Sequence, residues 1–220
     1  MGLLREFLYL VLISFSIRTL SDETRKVVAI VDTGLPSDSR ITPYLCKGKQ
    51  VDLTGYGMED VDGHGTNILG LIAPAINIKT HCLAMIKYWH HGEESDNFLD
   101  AALALKPVIL NLSISGPSFI RSEKEGLLKL LAAGTKVVIA AGNDGLDLSK
   151  SCLAYPACYS FKDPNFYVVS SSDHSPNANF GGPVKLLAHG INQCGIFGTC
   201  MTGTSQATAN ATNWLLRQEK

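Results

Sequence analysis

Short apolar runs, separated by polar and Gly- or Pro-containing segments, dominate the pattern along this chain. Six runs have the length and near-continuous apolar character of buried strands: 27–32, 50–53, 78–86, 108–113, 136–141 and 167–171. Three intervening segments, 67–73, 97–105 and 123–133, repeat their apolar residues at helical spacing. Strands that are apolar along their whole length must be buried on both faces. The predicted fold class is therefore α/β: a three-layer, doubly wound, mostly parallel sheet with helices on both faces.

The composition indicates a single domain and excludes nucleic acid as the main partner. The 220 residues are 45% hydrophobic and 18% charged, which is enough for one well-packed core. The formal net charge is −1 and no basic run occurs, so nucleic acid is excluded as the main partner. We find no internal repeat, and we expect one domain over residues 27–220 and a monomer.

The N-terminal stretch 7–15 is apolar but too short to span a bilayer, which takes about 18 or more residues. Arg5 precedes it, and the small-x-small sequence Ser14-Phe15-Ser16 follows. This order predicts a signal peptide over residues 1–16, no stable membrane span, and secretion to an extracellular or periplasmic location. The alternative is an ordered first strand or helix. Residues 17–26 then form a short N-terminal segment with no pro-domain.

Three polar residues stand at the ends of predicted elements. Ser205 follows Gly203 and opens an Ala-rich helical segment, so its hydroxyl and backbone N–H lie at a helix N-terminus. His64 begins another predicted helix, and Asp32 ends the first strand. Each alone has an ordinary alternative: a helix cap, a buried histidine with satisfied partners, or a turn cap. Their order in the chain, however, is one of the known arrangements of the nucleophilic triad.

Four motifs occur in an order that resembles the subtilisin-like serine proteases: VDTG at 31–34, GHGT at 63–66, AAGNDG at 140–145 and GTSQATA at 203–209. The resemblance runs from about residue 27 to the end of the chain. It implies a secreted serine endopeptidase that hydrolyses peptide bonds through an acyl-enzyme on Ser205. His64 would be the general base and acid, and Asp32 would orient its ring.

The same resemblance assigns Asn143 to the oxyanion hole, where its side-chain N–H acts together with the Ser205 backbone N–H. The alternative is a turn asparagine, for which Gly-Asn-Asp-Gly is equally suited. The resemblance also implies a primary specificity slot lined by Ser113, Ile114, Ser115, Gly116, Ala140, Ala141, Gly142 and Ala154. Its small residues predict acceptance of apolar side chains, with Asp144 at the rim admitting basic ones. The loop 88–96 would flank the more distant subsites.

We expect no metal or other cofactor. Adjacent histidines such as His90 and His91 rarely converge on one ion, so the sequence HHGEE at 90–94 is interpreted as an exposed turn. Calcium is common in the family, but no loop dense in carboxylates supports it here. The expected partner is a peptide or protein substrate.

Six cysteines behind a signal peptide favour disulfides, although six allow 15 pairings. Cys152 and Cys158 flank Pro156, whose turn could bring their sulfur atoms together. Cys194 and Cys200 have the same spacing and could exchange partners with them. No C-x-x-C pair indicates zinc or redox chemistry.

The sequence also departs from the family pattern. Asn67, Ala209 and Asn210 replace residues that are usually histidine, proline and histidine, and the chain is short after Ser205. Because Asn67 and Asn210 each lie about one turn beyond a catalytic candidate, we predict that their amides contact each other and brace His64 and Ser205.

Two other functions compete with the endopeptidase. One is a binding or regulatory protein on a protease fold that is catalytically inactive. The other is a doubly wound module that holds a small anionic ligand. Neither G-x-G-x-x-G nor G-x-x-x-x-G-K-[ST] occurs to support the second.

Overall fold

The computed structural model describes residues 24–95, 98–173 and 175–219. The predicted signal peptide and residues 17–23 lie outside this part, as does Asn97 of the second predicted helix. The main strands are β1 (Lys26–Asp32), β2 (Val51–Asp52), β3 (His81–Lys87), β6 (Ile109–Leu112), β7 (Lys136–Ala140), β8 (Phe166–Ser171) and β9 (Leu186–Ala188). Two small hairpins pair β4 (Trp89–His90) with β5 (Glu93–Glu94), and β10 (Gln193–Cys194) with β11 (Cys200–Met201).

The helices are α1 (His64–Ile72), α2 (Phe98–Leu105), α3 (Arg121–Ala132) and α4 (Thr204–Gln218). The main strands form one parallel sheet in the order β2-β3-β1-β6-β7-β8-β9. The predicted α/β class is confirmed, and the six predicted strands all occur in the sheet.

Side chains that alternate along β1 divide the core into two layers. Ala29 and Val31 point to one face, where they pack with apolar residues of α2 and α3. Val28 and Ile30 point to the other face, where they pack with α1 and α4. All four β1 side chains are fully buried. Helices cover both faces of the sheet, which explains why its strands are apolar along nearly their whole length.

The strand order reverses direction between β1 and β6. The chain passes from β1 to the edge strand β2 and returns to β3 on one side, and then crosses to β6 and continues outward to β9 on the other. Adjacent parallel strands whose connections leave in opposite directions open a crevice at their carboxyl ends, where ligands bind in folds of this class. Asp32 is the last residue of β1, and Ser113 directly follows β6. The two therefore stand on either side of this crevice.

Helix α4 is buried along most of its length because its inner face carries small residues. Ala207 and Ala209 are fully buried, and Ala211 is nearly so. These short side chains let the helix backbone lie close to the sheet and to α1. Close approach at this point places the start of α4, with Ser205 in its first turn, beside the carboxyl ends of the strands.

Three disulfides join the six cysteines: Cys46–Cys82, Cys152–Cys158 and Cys194–Cys200. The predicted bridge between Cys152 and Cys158 is confirmed, and the exchange of partners with Cys194 and Cys200 does not occur. Among the helices of the described residues, none has both the length and the apolar character that crossing a membrane requires.

Candidate active site

A cleft of about 440 Å³ opens at the carboxyl ends of β1, β6 and β7. The starts of α1 and α4 contribute to its wall, together with the β4–β5 hairpin. Its lining residues are Asp32, Thr33, Asp62, His64, Tyr88, Trp89, Glu94, Ser113, Ile114, Ser115, Ala140, Gly142, Asn143, Asp144, Thr204 and Ser205. The structure thus brings all four predicted catalytic residues into one cavity.

Asp32 holds the His64 ring in one tautomer. The carboxylate is 2% exposed, and its Oδ1 lies 2.7 Å from His64 Nδ1. The same Oδ1 accepts the backbone N–H of Thr33 at 2.8 Å. An ionised carboxylate can only accept, so Nδ1 must carry the hydrogen. In the neutral ring Nε2 is then left without a proton and is available as a base.

The charges around His64 favour its protonated form. Burial of the ring lowers its pKa, but the Asp32 carboxylate beside it, through charge and hydrogen bond, outweighs this effect. Asp62 and Asp60 add to the attraction, and the pKa of His64 is raised above its ordinary value. The ring therefore holds a proton more firmly than an isolated imidazole does.

Ser205 lies in the first turn of α4 and is 8% exposed. Its Oγ donates to the backbone carbonyl of Ser113 at 3.4 Å, and no hydrogen bond joins it to His64 among the described residues. A serine hydroxyl turns about a single bond, and catalytic hydrogen bonds that are long or poorly aligned often tighten only when substrate binds. The helix start also favours negative charge beside the hydroxyl.

Asn143 is oriented by the residue that precedes Ser205. Its Oδ1 accepts both the backbone N–H and the hydroxyl of Thr204, at 2.9 and 3.1 Å. With the oxygen fixed in this way, Nδ2 is the end of the amide that remains for another partner. Gly203 leaves room for this arrangement, because a Cβ there would lie 3.3 Å from Asn143 Oδ1.

The profile of the Subtilase family matches residues 24–217. The chain belongs to the subtilase family. It is 25% identical to subtilisin DY of Bacillus licheniformis, over 82% of this chain and 72% of that protein. It is 27% identical to the extracellular serine proteinase of Thermus sp. (strain Rt41A), over 83% of this chain and 48% of that protein.

The major intracellular serine protease of Bacillus subtilis (strain 168) is 28% identical, over 86% of this chain and 66% of that protein. The match thus covers about half of the Thermus proteinase, and more of the other two. Family membership and the subtilisin relatives place the chain among the serine-type endopeptidases, a class of hydrolases.

The predicted substrate residues fall into two groups. Ser113, Ile114, Ser115, Ala140 and Gly142 line the cleft. Ala141 and Ala154 do not, because their side chains are fully buried in the core beneath it. Gly116 pairs with Tyr155 in an antiparallel bridge and is not among the lining residues.

The segment 88–95 forms one rim of the cleft. Trp89–His90 pairs with Glu93–Glu94, and His91 and Gly92 at the tip both have positive φ angles and are exposed. The exposed turn predicted for HHGEE is confirmed. Tyr88, Trp89 and Glu94 reach the cleft from this side.

The predicted contact between Asn67 and Asn210 is wrong. Asn67 Oδ1 accepts from Gln206 Nε2 at 3.0 Å, and its Nδ2 donates to the carbonyls of Gln193 and Thr199. Asn210 Nδ2 instead donates to His189 O and Gln193 Oε1, both at 2.9 Å. Gln206 occupies the position facing α1 that the prediction gave to Asn210. Within the part of the chain that the structure describes, the two side chains share one hydrogen-bonding residue, Gln193.

Sequence reasoning missed two residues that hold the site together. Thr204 orients Asn143, and Asp60 receives hydrogen bonds from both sides of His64. No capping signal marks Asp60 in the sequence, because it lies three positions before Gly63, the N-cap residue of α1.

Proposed function

We propose that this chain is a serine endopeptidase in which Ser205 attacks the peptide carbonyl and His64 takes its proton. Asp32 orients His64 and stabilises the imidazolium, and Asn143 acts in the oxyanion hole. The observation that carries the proposal is the 2.7 Å contact of His64 Nδ1 with Asp32, at the helix start that shares the cleft with Ser205.

The chemistry follows from the tautomer of His64. Ser205 Oγ bonds to the carbonyl carbon while its proton passes to Nε2, and the carbonyl oxygen becomes the oxyanion. The Ser205 N–H and Asn143 Nδ2 donate to that oxyanion. The oxyanion then collapses, and the C–N bond breaks as the imidazolium gives its proton to the leaving amine, which leaves the acyl-enzyme. Water next gives a proton to the same Nε2 and bonds to the ester carbon, and the bond from that carbon to Ser205 Oγ breaks as Oγ takes the proton back.

Peptide hydrolysis should depend on pH through His64. Only the neutral ring can accept the serine proton, so kcat/KM should rise with pH as the ring loses its own proton. Because Asp32 and its neighbours raise the pKa of His64, the midpoint should lie above the reference value of about 6.5. A kcat/KM that stays flat from pH 5 to pH 8, measured with a peptide of constant charge, would contradict the role of His64.

The wall of the cleft supports a preference for apolar or basic side chains before the scissile bond. The described residues that line the cleft include no Lys or Arg, whereas Asp144 is one of them. Asp144→Asn should lower kcat/KM for peptides with Lys at that position by about 2- to 5-fold, the range of an exposed ion pair. Leu peptides should be unaffected, and Glu125→Gln on the exposed face of α3 is the control. Equal effects on Lys and Leu peptides would contradict this preference.

We also propose that the protein is secreted. The signal peptide predicted over residues 1–16 and three disulfides, which persist in oxidising compartments, support this location. N-terminal sequencing of protein recovered from the medium or periplasm is the test. A mature chain that still begins at Met1 would contradict cleavage.

A further inference from the structure

The carboxylate of Asp60 receives five hydrogen bonds from the described residues. Its Oδ1 accepts from Thr33 Oγ1 at 2.8 Å, from Gly63 N at 2.9 Å and from Asp62 N at 3.1 Å. Its Oδ2 accepts from Thr66 N at 2.7 Å and Thr66 Oγ1 at 2.6 Å. Both oxygens are thus held, and the carboxylate has one orientation.

These donors come from the two segments that carry Asp32 and His64. Thr33 follows Asp32 at the end of β1, whereas Gly63 and Thr66 lie on either side of His64 at the start of α1. A further bond joins the segments directly, because Thr33 Oγ1 accepts Gly65 N at 2.8 Å. Asp60 therefore connects two residues that are far apart in sequence.

The backbone that carries Asp60 is itself fixed. Lys87 is fully buried, and its Nζ donates to the carbonyls of Gly57 and Glu59, both at 2.7 Å. On the other side Asp60 N donates to Leu35 O at 2.9 Å. The Lys87 side chain and the parallel β-bridge between Leu35 and Glu59 thus hold the loop before α1 against the ends of β1 and β3.

Close packing leaves little freedom between β1 and α1. A Cβ added to Gly65 would lie 2.7 Å from Gly34 O and 2.9 Å from Gly34 N, so the two backbones are in direct contact. At this separation the angle between α1 and β1 depends on the hydrogen bonds that join them. A shift of the α1 start would move the His64 ring relative to Ser205.

We propose that Asp60 is a positioning residue for the pair Asp32–His64, fixing the first turn of α1 against the end of β1 so that His64 Nε2 faces Ser205. The proposal rests on the proposed function and adds to it a residue that does not touch substrate.

The charge of Asp60 supplies a readout that packing alone would not give. Burial would raise its pKa, but the hydrogen bonds from Thr66, Gly63 and Thr33 outweigh burial and keep it below its ordinary value. Asp60 is thus ionised at neutral pH and helps to raise the pKa of His64, together with Asp32 and Asp62. The other charged groups that line the cleft, Glu94 and Asp144, are acidic as well.

Asp60→Asn tests the proposal, with Asp52→Asn as a matched control. Asp52 also accepts from a threonine N–H and hydroxyl, Thr54 at 2.8 and 2.7 Å, and from Gly57 N at 2.7 Å, but among the described residues no hydrogen bond joins its side chain to Thr33, Gly63 or Thr66. Asp60→Asn should lower kcat by about 10- to 100-fold with KM nearly unchanged, since the geometry of reaction is altered rather than substrate binding. The acid limb of the pH profile should move to lower pH. Asp52→Asn should change kcat by no more than about twofold. It should leave the acid limb of the pH profile where it is in the wild type.

A second pair of variants keeps the test decisive if Asp60→Asn does not fold by circular dichroism. Thr33→Val removes the hydroxyl that joins Asp60 to Gly65, and Thr33→Ser retains it. The valine variant should lose kcat and the serine variant should recover most of it. Equal kcat in the two variants, or an Asp60→Asn profile that matches Asp52→Asn, would overturn the positioning role alone. A wild type without Ser205-dependent hydrolysis would overturn the proposed function, and the positioning role with it.

Discussion

Ser205→Ala is expected to lower kcat for peptide hydrolysis by about 10⁶-fold, a magnitude taken from subtilisin, a relative, rather than from the present geometry. The variant lacks the oxygen that forms the acyl-enzyme, and no other hydroxyl in the first turn of α4 takes its place. Thr204, its neighbour, points its hydroxyl to Asn143 instead. A small residual rate should remain from the oxyanion donors and from binding.

The loss should be specific to this hydroxyl. Thr202→Val removes an exposed hydroxyl three positions earlier, where it accepts Asn192 N, and should leave kcat within a few-fold of wild type. Initial rates on a chromogenic peptide, with circular dichroism to show that both variants fold, provide the comparison. A Ser205→Ala protein that retains a tenth of the wild-type rate would show that another nucleophile acts.

Asn143→Asp is expected to lower kcat by about 100- to 1000-fold, the range found when subtilisin loses one donor of this kind. The substitution keeps an oxygen that can accept from Thr204, so the local turn should survive. It removes the N–H donor and adds a negative charge beside the developing oxyanion. Since both effects act on the transition state, KM should change little.

Asn143→Ala separates the two tasks of this side chain. Without any amide it loses the donor and also the acceptor for Thr204. A comparable loss of kcat in both variants would support the oxyanion role. If Asn143→Asp kept near-wild-type kcat while Asn143→Ala did not, the role of Asn143 would be to anchor Thr204.

The central strands could be predicted closely because burial on both faces leaves a continuous apolar signature. The first strand was expected at 27–32 and is Lys26–Asp32. The expected start of the third strand at 78 was too early: Ile78 is apolar but half-exposed, and β3 begins at His81. The edge strand Leu186–Ala188 was missed, because it is short and partly exposed and so lacks the apolar run of a central strand.

The site was predictable where a motif sits at the end of an element, and not where it depends on contacts across the fold. Each of the four catalytic candidates ends a strand, follows one or lies at the start of a helix, which is why the sequence could place them at one edge: Asp32, His64, Asn143 and Ser205. The partners of Asn67 could not be found in this way. They depend on the rotation of α4, which turns Gln206 toward Asn67, and on the β10–β11 hairpin that the hydropathy pattern does not reveal.

Covalent labelling of the purified chain with a fluorophosphonate probe, followed by mass spectrometry of the modified peptide, tests directly whether Ser205 is the nucleophile. We expect a single phosphonylated residue, Ser205, with labelling absent in Ser205→Ala and strongly slowed in His64→Ala. Wild-type protein that folds but stays unlabelled would contradict this expectation and favour the inactive, binding alternative. Equal labelling of Ser205→Ala would contradict the assignment of the nucleophile.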